Sequence, residues 1–414
     1  MADVTVDLVV LGGGSGGYSA ALRASQLGMS VALVEKDKVG GTCLHVGCIP
    51  TKALLHAAEV ADVARDSAKF GVNATLAGVD VAGVSNYRQG IIDSKFKGLQ
   101  GLIKARGITT YDGFGKLTSP NTVQVGDTTI TAKNVVLATG SYSRTLPGLE
   151  IGGRVITSEH ALQMNYVPNK VAILGGGVIG VEFASIWKSF GTDVTIVEGL
   201  PSLVPNEDPA VSKALERAFR KRGINFKTGV RFSGVTQDEN GVVVSLEDGT
   251  QLDAELLLVA VGRGPNSAGF GYEEQGVTVD RGFVITNERL QTSLPGVYAA
   301  GDIVPGLQLA HRGFQQGIFI AEEIAGLNPR TIDENNIPKV TYCEPEIASV
   351  GITQTQAVER FGADNVEAYE YNLGGNGKSQ ILQTQGFVKL VRQKRLGHWE
   401  LEGIQQWLRQ SRFS

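Results

Sequence analysis

The sequence predicts an α/β fold that contains one βαβ design twice, followed by a β-containing C-terminal segment. Three observations predict it. Residues 8–35, LVVLGGGSGGYSAALRASQLGMSVALVE, align without a gap on residues 171–198, VAILGGGVIGVEFASIWKSFGTDVTIVE, at an offset of 163 residues. Each copy passes from a short apolar strand through glycines into a helical stretch and then a β-branched strand, the order that builds a parallel sheet. Further apolar runs end in glycine at 134–140 (NVVLATG) and 256–262 (LLLVAVG), and in Gly-Asp at 294–302 (LPGVYAAGD).

The elements follow in order. Residues 8–11 form the first strand, 18–27 a helix and 31–35 the second strand; in the later copy the helix is 181–190 and the second strand 194–198. Ten identities tie the copies together, among them Gly12, Gly14, Gly17 and Glu35, which recur as Gly175, Gly177, Gly180 and Glu198. A solenoid repeats every ~20–50 residues, so this single long period marks two nucleotide-binding domains of like design. The 414 residues suffice for two or three domains. The expected boundaries are 1–145 for the first nucleotide domain, 146–270 for the second, a return to the first over 271–335, and a last domain over 336–414.

Composition narrows the function. The 54 glycines follow no Gly-X-Y period, which suits tight turns where backbone approaches a ligand. A balance of 38 basic to 42 acidic residues, net −4, excludes a general nucleic-acid binder. The opening residues, MADVTVD, lack the basic start of a signal peptide, and no apolar run approaches the ~20 residues of a membrane span. A cytoplasmic protein is expected. Three cysteines are too few for a disulfide framework and leave room for a catalytic pair. No metal site is expected.

Gly12-x-Gly14-x-x-Gly17 follows a strand and opens a helix. The first glycine permits the turn, the second lets backbone approach a pyrophosphate, and the third lets helix pack on strand, with the helix N-terminus facing the anion. Glu35, at the end of the second strand, can accept hydrogen bonds from a ribose diol. Such a glycine pattern alone is a weak signal; strand, helix and acid in register strengthen it. Gly175-x-Gly177-x-x-Gly180 with Glu198 repeats the argument. A 2′-phosphate would be repelled by Glu198, so the second site is expected to take NAD(H) rather than NADP(H).

Cys43 and Cys48 lie in GGTCLHVGCIPTK, residues 40–52. Five residues apart on a regular helix, their Cα atoms would be roughly 8–9 Å apart, whereas a disulfide needs ~4.4–6.8 Å. Bridging therefore needs a distorted turn, which Gly47 permits, with Pro50 beginning the regular helix through residue 60. A thiolate at a helix N-terminus is favoured. The plainer alternative is two unrelated buried cysteines. Cys343, in TYCEPE, reads as structural. Glu182 stands in an otherwise apolar helix start; it either pairs with Lys52 or favours its own helix N-terminus, and spacing does not choose between them.

The segment GGTCLHVGCIPTKALLH resembles the redox-active segment of the dihydrolipoamide dehydrogenase family, within the pyridine nucleotide–disulfide oxidoreductases. ATG at 138–140, AVGRGPN at 260–266 and AAGD at 299–302 resemble it too, and the match runs from about residue 6 to 394. The resemblance implies two Rossmann-like FAD/NAD(P)-binding domains plus an α+β interface domain. It implies electron transfer from protein-bound dihydrolipoamide through a Cys43–Cys48 disulfide and FAD to NAD+. Cys43 would exchange with substrate, Cys48 would contact the flavin, and Lys52 would lie near the flavin and pair with Glu182. FAD would be held by Gly12, Gly14, Gly17, Glu35, Lys36, Gly41, Thr42, Lys52, Gly115, Thr139, Gly140, Ser141, Asp302 and Ala310. NAD would be held by Gly175, Gly177, Gly180, Glu198, Gly262 and Arg263. The implied partners are a lipoyl-bearing protein of a 2-oxoacid dehydrogenase complex and a second copy of the chain; neither nucleic acid nor membrane is expected.

One departure matters. The family's interface domain carries a His-Pro acid–base segment with a downstream Glu, and residues 395–414, RLGHWELEGIQQWLRQSRFS, do not continue that pattern. The tail reads as a frameshift or wrong gene end that leaves the interface domain incomplete; the alternative is an adapted helix. His398 lacks the motif. Without the acid–base group, dithiol oxidation would slow by ~10²–10⁴-fold. The remaining alternatives are a form limited to NADH-dependent dye reduction and a non-catalytic nucleotide-binding product.

Overall fold

The computed structural model describes residues 2–394 and, by backbone course, 406–409. The chain folds as two compact units. One comprises residues 1–50, 88–142 and 263–334; the other comprises 51–87, 143–262 and 335–414. Residues 51–87, expected within the first nucleotide domain, belong to the second unit.

In the first unit, Ala2–Leu11 is the central strand, parallel to Val31–Glu35 on one side and Thr128–Leu137 on the other. Thr109–Asp112 extends the sheet in parallel beyond Val31–Glu35. One end of Thr128–Leu137 continues into antiparallel Thr122–Val125 and Gly115–Ser119, and the other end pairs in parallel with Val297–Ala299. Continuous apolar runs are what a sheet covered on both faces requires. Leu8 and Val10 join one core with Ala20, Ala24, Phe319 and Ile320. Val9 and Leu11 join the opposite core with Leu117, Val123, Ile130 and Tyr272.

The helices Ser15–Gln26 and Ala310–Ile324 approach each other through glycine. A Cβ built on Gly317 would lie 2.2 Å from both the Gly16 carbonyl oxygen and Ser19 Oγ. No side chain fits there, so the contact brings two backbones together.

In the second unit, the second copy forms a parallel sheet ordered Asn225–Thr228, Asp193–Glu198, Lys170–Leu174, Leu256–Val259, Val155–Thr157. Helix Val178–Phe190 packs Val181, Phe183, Ala184 and Ile186 into its core, where Leu54 also lies. Helix Cys48–Asp66 starts two residues before the expected Pro50. A proline in a first turn is tolerated because the N–H it lacks would have no intrahelical acceptor.

The C-terminal segment forms an antiparallel sheet ordered Lys339–Thr341, Glu346–Ser349, Gln406–Arg409, Phe387–Gln393, Val366–Asn372. Where the alternative reading of the tail has an adapted helix, residues 406–409 form a strand; His398 lies outside the described residues. Two adjacent acids bind this sheet to the rest of the unit. Glu207 pairs with Lys339 at 3.3 Å, and buried Asp208 with buried Lys389 at 2.7 Å. Among the described residues, no helix is long and apolar enough to cross a membrane.

The glycine contact generates a test by contrast. Gly317→Ala is expected to lower the unfolding free energy by about 1–3 kcal/mol through overpacking. Gly98→Ala, on the exposed face of helix Val81–Ala105 with no atom within 4 Å of its Cβ position, is expected to raise it by about 0.5–1 kcal/mol. Urea unfolding of both variants measures the difference, and equal shifts would refute the packing argument.

Candidate functional site

Both glycine turns have the geometry their spacing predicts. Gly12 has φ +106°, and a Cβ there would lie 2.2 Å from the Ala138 carbonyl oxygen; Gly175 repeats this with φ +112° and 2.3 Å to that of Ala260. Cβ atoms at Gly17 and Gly180 would lie 1.8 and 1.9 Å from the carbonyl oxygens of Gly12 and Gly175. Gly14 and Gly177 differ: no atom lies within 4 Å of a Cβ built on either. Protein packing does not require glycine there; a ligand brought against the backbone would. Both residues cap helices, and neither cap makes a side-chain hydrogen bond. By contrast, Asp208 caps helix Pro209–Arg222 by accepting from Ala210 N–H at 3.0 Å. The two glycine turns therefore fit pyrophosphate groups on this structure's own terms.

The two acids share one arrangement. Glu35 accepts from Gly13 N–H at 2.6 Å and Asp37 N–H at 2.9 Å. Glu198 accepts from Gly176 N–H at 2.6 Å and Leu200 N–H at 2.8 Å. A carboxylate has about four lone-pair positions, so each acid can fix its turn and still receive ribose hydroxyls.

The cysteine segment rests on the first turn. Gly40 N–H donates to the Gly13 carbonyl at 2.8 Å, and a Cβ on Gly41 would lie 2.8 Å from Gly14 Cα. Cys43 belongs to the short helix Gly41–His45 and Cys48 opens helix Cys48–Asp66. The two are thus not five positions along one regular helix, as bridging requires. Gly47 serves this break by proximity, since a Cβ there would lie 2.9 Å from the Thr42 carbonyl oxygen. Tyr18 stands near Cys43; burial, and then a Cys43 thiolate charge, push its phenol up to about 12.

In the second unit, Lys52 Nζ donates to both Glu182 oxygens, at 3.0 and 3.1 Å. This decides between the two alternatives for Glu182 in favour of the ion pair. Glu182 is 4% exposed and also accepts from Tyr342 N–H at 2.9 Å. The sequence did not single out Tyr342; its signal was the TYCEPE segment. Cys343 is fully buried with its Sγ 3.1 Å from the Pro345 carbonyl oxygen. Burial, reinforced by the charges of Glu182 and Glu344, holds its thiol well above the usual range.

The remaining predicted residues divide by what engages them. Ser141 Oγ donates to Asp302, while Arg263 donates to Ser141 Oγ at 2.8 Å and to the Ser141 carbonyl at 2.9 Å. Arg263, expected beside Gly262 for NAD, is thus drawn to Ser141, a residue of the expected FAD set. Thr139 Oγ1 donates to the Asn266 carbonyl at 2.7 Å and meets Tyr272 OH at 3.0 Å, so its hydroxyl already serves the fold. Gly115 is buried, and a Cβ there would lie 2.5 Å from Leu11 Cδ1. Lys36 is exposed, 5.9 Å from the Phe270 ring centre. Gly140 is left-handed at φ +75°, Gly262 accepts from Arg144 N–H at 3.0 Å, and Ala310 begins helix Ala310–Ile324.

Two outcomes follow. Glu182→Ala is expected to lower the unfolding free energy by about 2–4 kcal/mol, because it strands the Lys52 charge and Tyr342 N–H. Glu182→Gln, which keeps an acceptor, should cost less; urea unfolding that ranks the two the other way refutes the pairing. Native protein treated with iodoacetamide near pH 8 should stay unlabelled at Cys343, because a raised thiol remains protonated there, and should label after denaturation. Peptide mass mapping reads both states.

The family described as pyridine nucleotide-disulphide oxidoreductase matches residues 6–317, and its dimerisation domain matches residues 337–405. A dihydrolipoyl dehydrogenase from Bacillus subtilis is 40% identical over 405 residues, spanning 93% of this chain and 85% of the relative. One from Mycobacterium leprae is 39% identical over 407 residues, with 94% and 86% covered. A leghemoglobin reductase from Vigna unguiculata is 37% identical over 403 residues, with 94% and 76% covered. The crystal structure of LpdA from Mycobacterium tuberculosis superposes with a TM-score of 0.88 at 24% identity, covering 98% of this chain and 90% of that one, a likeness of fold. With both glycine turns and the cysteine pair in place, the chain belongs to the pyridine nucleotide-disulphide oxidoreductases, enzymes of FAD and NAD(H).

Proposed function

We propose that this chain is a dihydrolipoyl dehydrogenase, oxidising a protein-bound dihydrolipoyl group and passing two electrons to NAD+. The observation that carries the reading is the seating of the cysteine segment on the first glycine turn, through Gly40 N–H and Gly41. A substrate thiolate attacks Cys43 Sγ, the Cys43–Cys48 bond breaks, and Cys48 leaves as a thiolate. The second substrate thiolate then attacks the substrate sulfur of the mixed disulfide, closing the lipoyl disulfide and releasing Cys43. The substrate dithiol is thereby oxidised and the cysteine pair reduced. FAD, when bound, carries the two electrons between that pair and NAD+. Cys48 is the flavin-side thiol. It opens a 19-residue helix, whose N-terminus favours the negative charge.

Lys52 and Glu182 form the charged pair beside the flavin in this proposal. Gly12, Gly14, Gly17, Glu35, Thr139, Gly140, Ser141, Asp302 and Ala310 hold FAD, and Gly175, Gly177, Gly180, Glu198 and Gly262 hold NAD. The domain boundaries 1–145 with 271–335, 146–270 and 336–414, a homodimer, a lipoyl-bearing partner of a 2-oxoacid dehydrogenase complex and a cytoplasmic location belong to the same proposal. The second reading is the alternative already stated from the sequence, in which NADH-dependent dye reduction persists without lipoyl turnover.

One preparation separates the two. NADH-dependent dye reduction and dihydrolipoamide oxidation are measured in wild type, Cys43→Ser and Cys48→Ser. In the first reading both serine variants lose dihydrolipoamide oxidation by at least ~10³-fold, the scale set by losing an essential nucleophile, and retain dye reduction. Wild type inactive on dihydrolipoamide but active on dye supports the second. Lipoyl turnover that survives both substitutions overturns the cysteine mechanism.

A further inference from the structure

The Lys52–Glu182 pair has a third member that its sequence spacing does not show. Lys52 Nζ lies 4.7 Å from the centre of the Tyr342 ring, well within the ~6 Å over which a ring face attracts a cation. The same residue's backbone N–H donates to Glu182 Oε1 at 2.9 Å. Tyr342 thus engages both halves of the ion pair with different groups, the ring with the cation and the amide with the anion.

The surroundings hold the ring in place. Two residues on, Glu344 N–H donates to Ser185 Oγ at 3.0 Å, and Arg222 donates to the Glu344 carbonyl at 3.0 Å. Arg222 is itself anchored by Asp62 at 3.0 Å and by Ser189 Oγ at 2.9 Å. Between these points Cys343 is buried. Glu182 and Ser185 lie on helix Val178–Phe190, and Asp62 on the helix that carries Lys52. The segment 342–344 is therefore clamped to both helices. Lys52 is one-third exposed, whereas Glu182 is nearly sealed. A lysine ammonium on a flexible stem, held only by one carboxylate, keeps freedom to swing; the ring face removes that freedom from the open side.

We propose that Tyr342 is a positioning residue for Lys52, its ring face fixing where the ammonium points. The consequence for turnover rests on the role proposed above for Lys52; the positioning itself does not. Because Tyr342 contacts Glu182 through its backbone, a side-chain substitution removes the ring alone. The ring is also 41% exposed, so its loss leaves the core intact.

The test uses holoenzyme with ¹³C-dimethylated lysines, the Lys52 signal being assigned by its absence in Lys52→Arg. In wild type that signal carries an upfield ring-current displacement. Tyr342→Phe keeps it and Tyr342→Leu loses it, with urea midpoints alike in all three. In parallel, Tyr342→Leu lowers kcat by about 2–5-fold, the fold-change equivalent of an exposed cation–π contact, leaves KM for NAD+ within twofold, and weakens the long-wavelength thiolate–flavin absorbance on two-electron reduction. Tyr342→Phe restores both. An identical Lys52 signal in wild type and Tyr342→Leu overturns the positioning. A displaced signal with unchanged kcat and absorbance upholds the positioning and instead overturns the flavin-side role of Lys52.

Discussion

The structure depends on a backbone crossing that leaves no room for a side chain. Where Gly17 passes the Gly12 carbonyl, and Gly180 that of Gly175, a Cβ would lie 1.8–1.9 Å from oxygen. That closeness lets each helix begin directly above the strand that feeds it, at the carboxyl end of a parallel sheet where α/β folds bind ligands. The acid at the end of the neighbouring strand then ties the turn down, Glu35 to Gly13 N–H and Glu198 to Gly176 N–H, each at 2.6 Å. Strand, crossing, helix and acid thus form one mechanical unit. An insertion anywhere within it would displace either the helix or the acid, which accounts for the gap-free alignment of the two copies.

The redox segment extends this logic in the first unit. Gly40 N–H bonds the Gly13 carbonyl and Gly41 packs against Gly14 Cα, and the helix carrying Cys43 starts there, at Gly41. The break at Val46 and Gly47 then separates the two cysteines onto successive helices. In the second unit, burying Glu182 is tolerable because three contacts serve it: Lys52 at both oxygens and Tyr342 N–H at one. A buried carboxylate with fewer donors would carry a desolvation cost with nothing to offset it.

Local patterns were legible in the sequence and distant pairings were not. The strands, glycine turns and terminal acids follow from period, residue type and fixed spacing, although the first strand begins at Ala2 rather than at residue 8 and the two helices at Ser15 and Val178 rather than at residues 18 and 181, directly after their glycine caps. Lys52 and Glu182 are 130 residues apart, so the sequence left their pairing undecided until the fold brought them together. Tyr342 reaches Glu182 across 160 residues and Arg222 reaches Asp62 across the same separation; no periodicity encodes such contacts. The Gly16–Gly317 approach is hidden likewise, because a glycine in a helix shows why it is needed only when its neighbour is known. Arg263 illustrates a subtler limit. Beside Gly262 in sequence, it lies in strand Arg263–Pro265, where successive side chains point to opposite faces, and its guanidinium turns to Ser141 instead.

Helix Pro209–Arg222 shows how the C-terminal sheet is made part of the second unit. Before its first turn, Asp208 receives Ala210 N–H, Gln354 N–H and the buried Lys389 ammonium. At its last residue, Arg222 binds the Glu344 carbonyl. Acid at the N-terminus and arginine at the C-terminus also suit the helix dipole, so both ends are stabilised by the groups that hold the C-terminal segment. Neither end can shift alone. Moving Asp208 would strand Lys389, a cation with 5% exposure, and moving Arg222 would free the strand of chain that carries Tyr342. The environment of Lys52 is therefore set by a helix it does not belong to, which grips the segment carrying Tyr342 through the Arg222–Glu344 contact, 122 residues apart.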